Sequence, residues 1–272
     1  METDKYLLIG VGGTGSFLLS PLIRFLTTHY RNSENSWELF LVDGDDVEEK
    51  NLDRQLFDES AIKSNKAVAA SIPYGYLSKV FPVDEYLGKD NIDQLITDGC
   101  TVFIGVDNLP TRARIQAHCL TLSNCVVING GNEFSTGSCQ MWIRKDGENI
   151  TPVLTFLHPE ISSKGADRAT MSCAAIAALD GGEQLITANM TSAMWILSAL
   201  MVYRKYTLSV AKNKATIDAL RDEGKEVPET LRDEAAKDAS IIKWTEIQFD
   251  LEKGESYGMD LRGKVGWNNV TP

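Results

Sequence analysis

This 272-residue sequence predicts an α/β fold: a mainly parallel sheet with helices on both faces and an antiparallel extension towards its later edge. Three observations carry that prediction. Tyr6-Leu-Leu-Ile-Gly10 is a continuous apolar run, as a strand buried on both faces requires, and it breaks at once into Gly10-Val-Gly-Gly-Thr-Gly-Ser16. A stretch with helical apolar spacing follows over residues 17–27. Two further apolar runs, 38–42 and 101–106, each deliver a carboxylate at their end, Asp43 and Asp107.

Strand, glycine turn and helix make the opening of a Rossmann-like unit. The glycines Gly10, Gly12, Gly13 and Gly15 permit a tight turn and let a phosphate approach N–H groups at a helix N-terminus, where the dipole favours anions. Residues 29–37 are polar and read as a loop before the second strand. In dinucleotide folds a carboxylate placed like Asp43 accepts from ribose hydroxyls. The run Asp43-Gly-Asp-Asp-Val-Glu-Glu-Lys-Asn-Leu-Asp-Arg-Gln55 then sets Asp45, Asn51, Arg54 and Gln55 within a dozen residues. Residues 60–77 read as a helix bearing Lys63 and Lys66, interrupted by Pro73. A third strand is expected at 80–83, a short helix at 90–97, a helix at 111–122 and a strand at 125–129. The antiparallel extension begins at 137–144, and 153–157 reads as a strand or loop. The polar stretch 162–170, with Gly165, is expected to be a mobile crossover. Helices are expected at 174–179 and 184–206, a polar helix within 212–237 and a closing strand within 241–251. Residues 1–206 read as one unit, with 207–272 an extension packed on it. Strands ending in Gly10, Asp43 and Asp107 on one edge of a parallel sheet would face a single crevice.

Bulk properties narrow the classes of partner. A formal net charge of −11 argues against nucleic acid, whose phosphates ask for a basic face. The five cysteines include no Cys-x-x-Cys pair, so neither a zinc knuckle nor a redox pair is legible. An odd cysteine count and a polar, acidic beginning without a signal-peptide pattern fit the cytoplasm. The most apolar helical run, 193–203, is too short to span a bilayer, so no membrane role is expected.

With these residues in view, the chain resembles the ThiF/MoeB/ubiquitin-activating-enzyme superfamily. The matching elements are Gly10-Val-Gly-Gly-Thr-Gly-Ser16, the stretch Asp43 to Gln55, Lys66 and Gly105-Val-Asp-Asn108, over roughly the first 130 residues. Arg54-Gln-Leu-Phe57, Asn65-Lys-Ala67, Ser172-Cys-Ala-Ala-Ile-Ala-Ala-Leu and Leu185-Ile-Thr-Ala-Asn-Met-Thr look like the ThiF-related proteins of PRTRC plasmid cassettes. The resemblance implies ATP- and Mg²⁺-dependent adenylation of the C-terminal carboxylate of a small ubiquitin-like or sulfur-carrier protein ending in Gly-Gly, by a homodimer. It implies that Asp43 binds the ribose, that Asn51, Arg54, Gln55 and Lys66 hold phosphates, and that Asp107 holds Mg²⁺. Gly10, Gly12, Gly13, Gly15, Asp45 and Asn108 complete the ATP site. An Arg fork, a Lys point charge and a hard cation suit the charge that gathers as a carboxylate attacks the α-phosphorus.

The sequence also departs from fuller members of that superfamily. The zinc-binding cysteine pairs are missing, so no zinc is expected. Little chain precedes the first strand to donate an Arg across a dimer, and Arg24 in the first helix is no evident substitute. No catalytic-cysteine or rhodanese domain is visible.

Other readings stand beside this one. The glycine turn and Asp43 would equally serve NAD or a flavin in an oxidoreductase, but Asn51, Arg54 and Lys66 have no standard part there. A nucleotide-binding adaptor that retains the fold without catalysis is a further alternative. Cys173 could accept an activated acyl group, although the alanines after it suit a buried thiol; the other four cysteines read as core. His29, His118 and His158 read as structural or surface. Met190, Met194, Trp195 and Met201 form a packing stripe, at most a homodimer face.

Overall fold

The computed structural model describes residues 2–161, 185–236 and 238–263. Among these, nine strands form one sheet: β1 (Thr3–Ile9), β2 (Ser36–Val42), β3 (Val80–Val83), β4 (Thr101–Ile104), β5 (Cys125–Asn132), β6 (Thr136–Lys145), β7 (Glu148–Asn149), β8 (Glu246–Asp250) and β9 (Glu255–Met259). The order is β3-β2-β1-β4-β5-β6-β8-β9, with β7 paired to β6. The five strands β1 to β5 are parallel, and every later pairing is antiparallel. The expected α/β architecture with its antiparallel extension is the one observed. Strand β1 lies between β2 and β4, so the chain winds one way to β2 and β3 and the other way to β4 and β5. Such a switch point opens a crevice at the carboxyl ends of the strands.

Alternation along β1 explains the two layers. Tyr6 and Leu8 enter one buried cluster with α1 (Gly13–His29) and α5 (Ile186–Asp222). Leu7 and Ile9 enter the other with α3 (Ile92–Leu95) and α4 (Leu109–Cys119). The short helix α2 (Lys66–Ser71) runs directly into a 3₁₀ turn over Ile72–Leu77, so the helix expected over 60–77 is shorter and changes type where Pro73 removes an N–H. Residues 153–157 form a 3₁₀ turn, Leu154–Phe156, rather than a strand.

Helix α5 continues well past the expected end, to Asp222, and α6 (Glu229–Ala236) follows it. By length and composition α5 is sufficient to cross a bilayer, contrary to the expectation drawn from residues 193–203. Its buried face, including Ala193, Ile196, Ala199 and Leu200, packs on α1, β5 and β6, and Arg204 sits mid-helix in a network with His29, Tyr30 and Asp4. Residues 162–184, which include Cys173 and the expected crossover and helix at 174–179, lie outside the described residues. Cys100, Cys119, Cys125 and Cys139 are all buried, as a core reading requires. Burial pushes the Cys100 thiol up to about 12.

Candidate active site

At the carboxyl ends of β1, β2, β4 and β5 lies a cavity of about 280 Å³, close to the lower end of the range for small-molecule sites. Gly10, Gly12, Gly13, Asp43, Asp45, Asn51, Arg54, Gln55, Lys66, Asp107 and Asn108 all line it. Residues spread over about a hundred positions are therefore gathered by the topology alone. Gly15 does not line the cavity. A Cβ there would stand 2.0 Å from the Gly10 carbonyl oxygen, so this glycine lets α1 pack on the turn beneath the ligand site. Gly10 has φ +88°, and a side chain would strike the backbone of Gly105 and Val106. The two strand-end loops that face the ligand side can meet only because both carry glycine.

Asp43 is almost wholly buried, and its carboxylate braces the glycine turn. Oδ2 accepts from Val11 N at 2.7 Å and Oδ1 from Asp45 N at 2.9 Å. Burial raises Asp43 above the usual carboxylate range, against the lowering effect of those two N–H donors and of Lys66. Asn65 pins the following turn. It caps α2 by accepting from Val68 N at 3.1 Å, and its amide donates to the carbonyls of Asp43 and Asp45 at 2.8 and 3.2 Å. This places Lys66, only 7% exposed, at the first position of α2. Its Nζ pairs with Asp45 Oδ2 at 3.0 Å. Asp45 thus serves Lys66 directly. Burial raises it, but hydrogen bonds from Tyr86 and Lys66 outweigh that and hold it below the usual range.

Asn51 closes a capping box with Glu48, accepting from Glu48 N at 2.9 Å, which fixes the turn that delivers Arg54 and Gln55. Two contacts bind this turn to the helices. Leu56 N donates to Ser16 Oγ at 3.1 Å, and Asn189 Nδ2 donates to the Arg54 carbonyl at 3.3 Å. Gln55 Oε1 is buried with no hydrogen-bond partner among the described residues, an acceptor left open in the cavity wall. On the far side, Asn108 Oδ1 accepts from Thr111 N at 2.9 Å and caps α4, leaving Asp107 at the mouth of the helix. Asn108 is therefore a capping residue that also lines the cavity.

Four groups were not foreseen. Arg112 Nη2 donates to the Val106 carbonyl at 2.9 Å and reaches that of Gly130 at 3.4 Å, tying the loop that carries Asp107 to the end of β5. A basic residue in the first turn of a helix opposes the macrodipole, and that oddity was the available signal. Asn189, 1% exposed, packs on Gly13 from the first turn of α5. Asn132 Oδ1 accepts from Thr14 Oγ1 at 3.1 Å. Tyr86 donates its hydroxyl to Asp45, and that bond, the largest cause, with burial and nearby acidic groups, pushes the phenol up to about 12. Nothing local in the sequence signals the last three.

Among histidines, His29 ends α1 and stacks on Phe25, His118 meets the Ile96 carbonyl, and His158 meets Glu246. All three lie outside the cavity wall.

Residues 1–237 match the model of the ThiF family. No curated protein matches the sequence. Among solved structures, E. coli MccB with AMPCPP and MccA aligns at a TM-score of 0.53 and 16% identity, covering 74% of this chain and 55% of that one. MccB with MccA reaches 0.57 at 14% identity, covering 97% and 67%. PaaA reaches 0.53 at 15% identity, covering 94% and 64%. The chain spans a little over half the length of the first of these. At such identities the likeness is one of fold.

Proposed function

The chain belongs to the ThiF family, and from that premise we propose that it uses ATP and Mg²⁺ to adenylate the C-terminal carboxylate of a small ubiquitin-like or sulfur-carrier protein ending in Gly-Gly. The observation that supports this reading is the meeting of Arg54 from the turn after β2, Lys66 from the start of α2 and Asp107 from the loop after β4 at one glycine-walled helix N-terminus. A nicotinamide or flavin site has use for the glycines and Asp43 but not for that cluster of phosphate-directed groups. A relative in fold supports the reading by its ligands: MccB is known with ATP, and with AMPCPP and MccA together.

The residues present fit these ligands. Mg²⁺ keeps several waters and takes one or two carboxylates plus substrate phosphates, rather than a full protein cage. Asp107 offers one such carboxylate, and no group of three or more His, Cys, Asp or Glu side chains suited to a metal occurs among the described residues. Mg²⁺ held there supplies positive charge at the phosphate oxygens. In the reaction a carboxylate oxygen bonds to the α-phosphorus and the bond to pyrophosphate breaks, so charge gathers on the phosphates. Lys66 answers it as a buried point charge, Arg54 as a fork, and the N–H groups of Gly12 to Thr14 through the helix dipole. Asp43 holds the ribose while bracing the turn. Gln55 Oε1 is suited to an N–H on the incoming chain end. No protein nucleophile is required.

The reading includes a cytoplasmic homodimer, with exposed Met190, Met194 and Met201 on α5 as its subunit face, and treats residues 207–272 as an extension of the same unit. Its test is ATP–pyrophosphate exchange, expected to need both Mg²⁺ and the cognate partner and to fail in Arg54→Ala and Asp107→Ala. Absence of exchange with a verified partner refutes it, and ATP binding without turnover under every partner marks a non-catalytic adaptor instead.

A further inference from the structure

Tyr86 stands at the edge of the cavity, 67% exposed, and is nevertheless fixed on two sides. Its ring lies against Gly44, where a Cβ would come within 2.6 Å of the ring's Cγ and 2.7 Å of the Tyr86 backbone nitrogen. Its hydroxyl is bonded to Asp45 Oδ1, while Oδ2 of the same carboxylate holds Lys66 Nζ at 3.0 Å. An exposed aromatic ring ordinarily samples several rotamers. Here the ring's back is seated on a glycine and its tip is tethered, so the open face is held ready. Ile9, Val42, Leu87 and Val106 line the same cavity and give it the apolar wall that a base requires.

We propose that Tyr86 is the platform on which the purine base of the nucleotide stacks, and that Asp45 is a positioning residue holding this platform and the phosphate-directed Lys66 at once. This rests on the nucleotide reading above. It changes the part played by Asp45, from a group that touches ligand to one that fixes two groups that do. Stacking on an aromatic face carries little base identity, because every base has a π-face. The platform therefore separates ATP from GTP weakly, and it favours purines over pyrimidines only through their larger stacking area. Because one carboxylate serves both ends, loss of Asp45 damages base and phosphate recognition together, whereas loss of the ring damages base recognition alone.

Calorimetric titration of the full chain with ATP and with inorganic tripolyphosphate, at one fixed Mg²⁺ concentration, tests this. Tyr86→Ala is expected to raise the Kd for ATP on the order of 10-fold and to leave that for tripolyphosphate unchanged. Tyr86→Phe, which keeps the ring on Gly44, should recover most of the loss, and Gly44→Ala, which must displace the ring, should reproduce it. Asp45→Ala should weaken both ligands. Unchanged ATP affinity in Tyr86→Ala, or equal weakening of both ligands by it, overturns the platform. An Asp45→Ala protein that binds tripolyphosphate normally overturns the positioning role. A wild-type chain that binds tripolyphosphate but no nucleotide overturns the nucleotide reading itself, and the platform falls with it; thermal unfolding of each variant separates misfolding from lost contacts.

Discussion

Replacing His158 with alanine strands a buried charge, and the cost follows from the geometry. Glu246 on β8 is wholly buried. Its Oε2 accepts from Gln140 Nε2 at 3.1 Å, and Oε1 accepts from Gln248 Nε2 at 2.8 Å and His158 Nε2 at 3.2 Å. The other ring nitrogen of His158 meets Glu160 Oε1 at 2.8 Å. An imidazole with an acceptor at each nitrogen satisfies both only as imidazolium. The hydrogen bond to Glu246, working against burial, accordingly holds His158 above the usual histidine range. Breaking a buried pair by removing one partner costs about 3–5 kcal/mol. The His158 side chain is 27% exposed, so water recovers part of this and about 3 kcal/mol is expected. For a chain of this size that is a fall in Tm of about 6–12 °C. Adding Glu246→Gln removes the stranded charge, so the double variant should be more stable than His158→Ala alone. Because the folded pKa of His158 is raised, its contribution is complete below the unfolded value of about 6.5 and is lost as pH rises through the folded one. The Tm gap between wild type and His158→Ala should therefore narrow from about pH 6 to pH 9. Scanning calorimetry of the wild type, both single variants and the double decides it. A fall of under about 2 °C in His158→Ala, or a double variant less stable than that single, refutes the reasoning.

Three further outcomes are expected. His29 should show the opposite pH sign: Arg204 Nε and Nη2 approach its Nε2 at 3.1 and 2.7 Å, and burial, then the Arg204 charge, lowers its pKa. As pH falls below about 6.5 the unfolded chain takes up a proton that the folded one refuses, so stability drops, and His29→Gln should flatten that slope in Tm between about pH 7.5 and 5.5. Gly15→Ala should cost about 3 kcal/mol or prevent folding, since the clash is with backbone that cannot turn aside; urea unfolding measures it. Asn189→Ala removes the tether to the Arg54 carbonyl and should weaken ATP about 2- to 10-fold in titration while moving Tm by only a few degrees.

The parallel half of the fold was legible because its signals are local. A strand buried on both faces is a continuous apolar run, and Gly10 to Ser16 follows such a run directly, so β1, the turn and α1 could be read from about twenty consecutive residues. Asp43 and Asp107 were legible for the same reason, as the last groups of apolar strands. The antiparallel edge was less so. β9 carries Glu255, Ser256 and Tyr257, mostly exposed, and its place is set by pairing with β8 rather than by a pattern of its own. The polar helix expected within 212–237 is present, but its first part continues α5 without a break: beyond Tyr206 the helix is held by packing on Ile241 and Ile242 and by Asp238 meeting Ser209 and Asn213, contacts distant in sequence. Where one helix ends and the next begins is set by such partners.

In the cavity, the charged groups were legible as letters, but which of them hold other groups in place was not. Asp45 shows why. As a letter it is one more carboxylate after Asp43, two residues on, and its spacing suits a ligand contact. Its two oxygens are instead committed to Lys66, 21 positions later, and to Tyr86, 41 positions later. Asn189 reaches back 135 positions to the Arg54 carbonyl, and Arg112 binds the ends of β4 and β5 across the sheet. A side chain that holds another in place is chosen by distance in the folded chain, which the order of residues does not contain. Its disruption therefore leaves the charges present and misplaced, so variants at Asp45, Arg112 and Asn189 should lose affinity through geometry while those at Lys66 and Arg54 lose it through charge, and rising salt should reduce the second kind of loss more than the first.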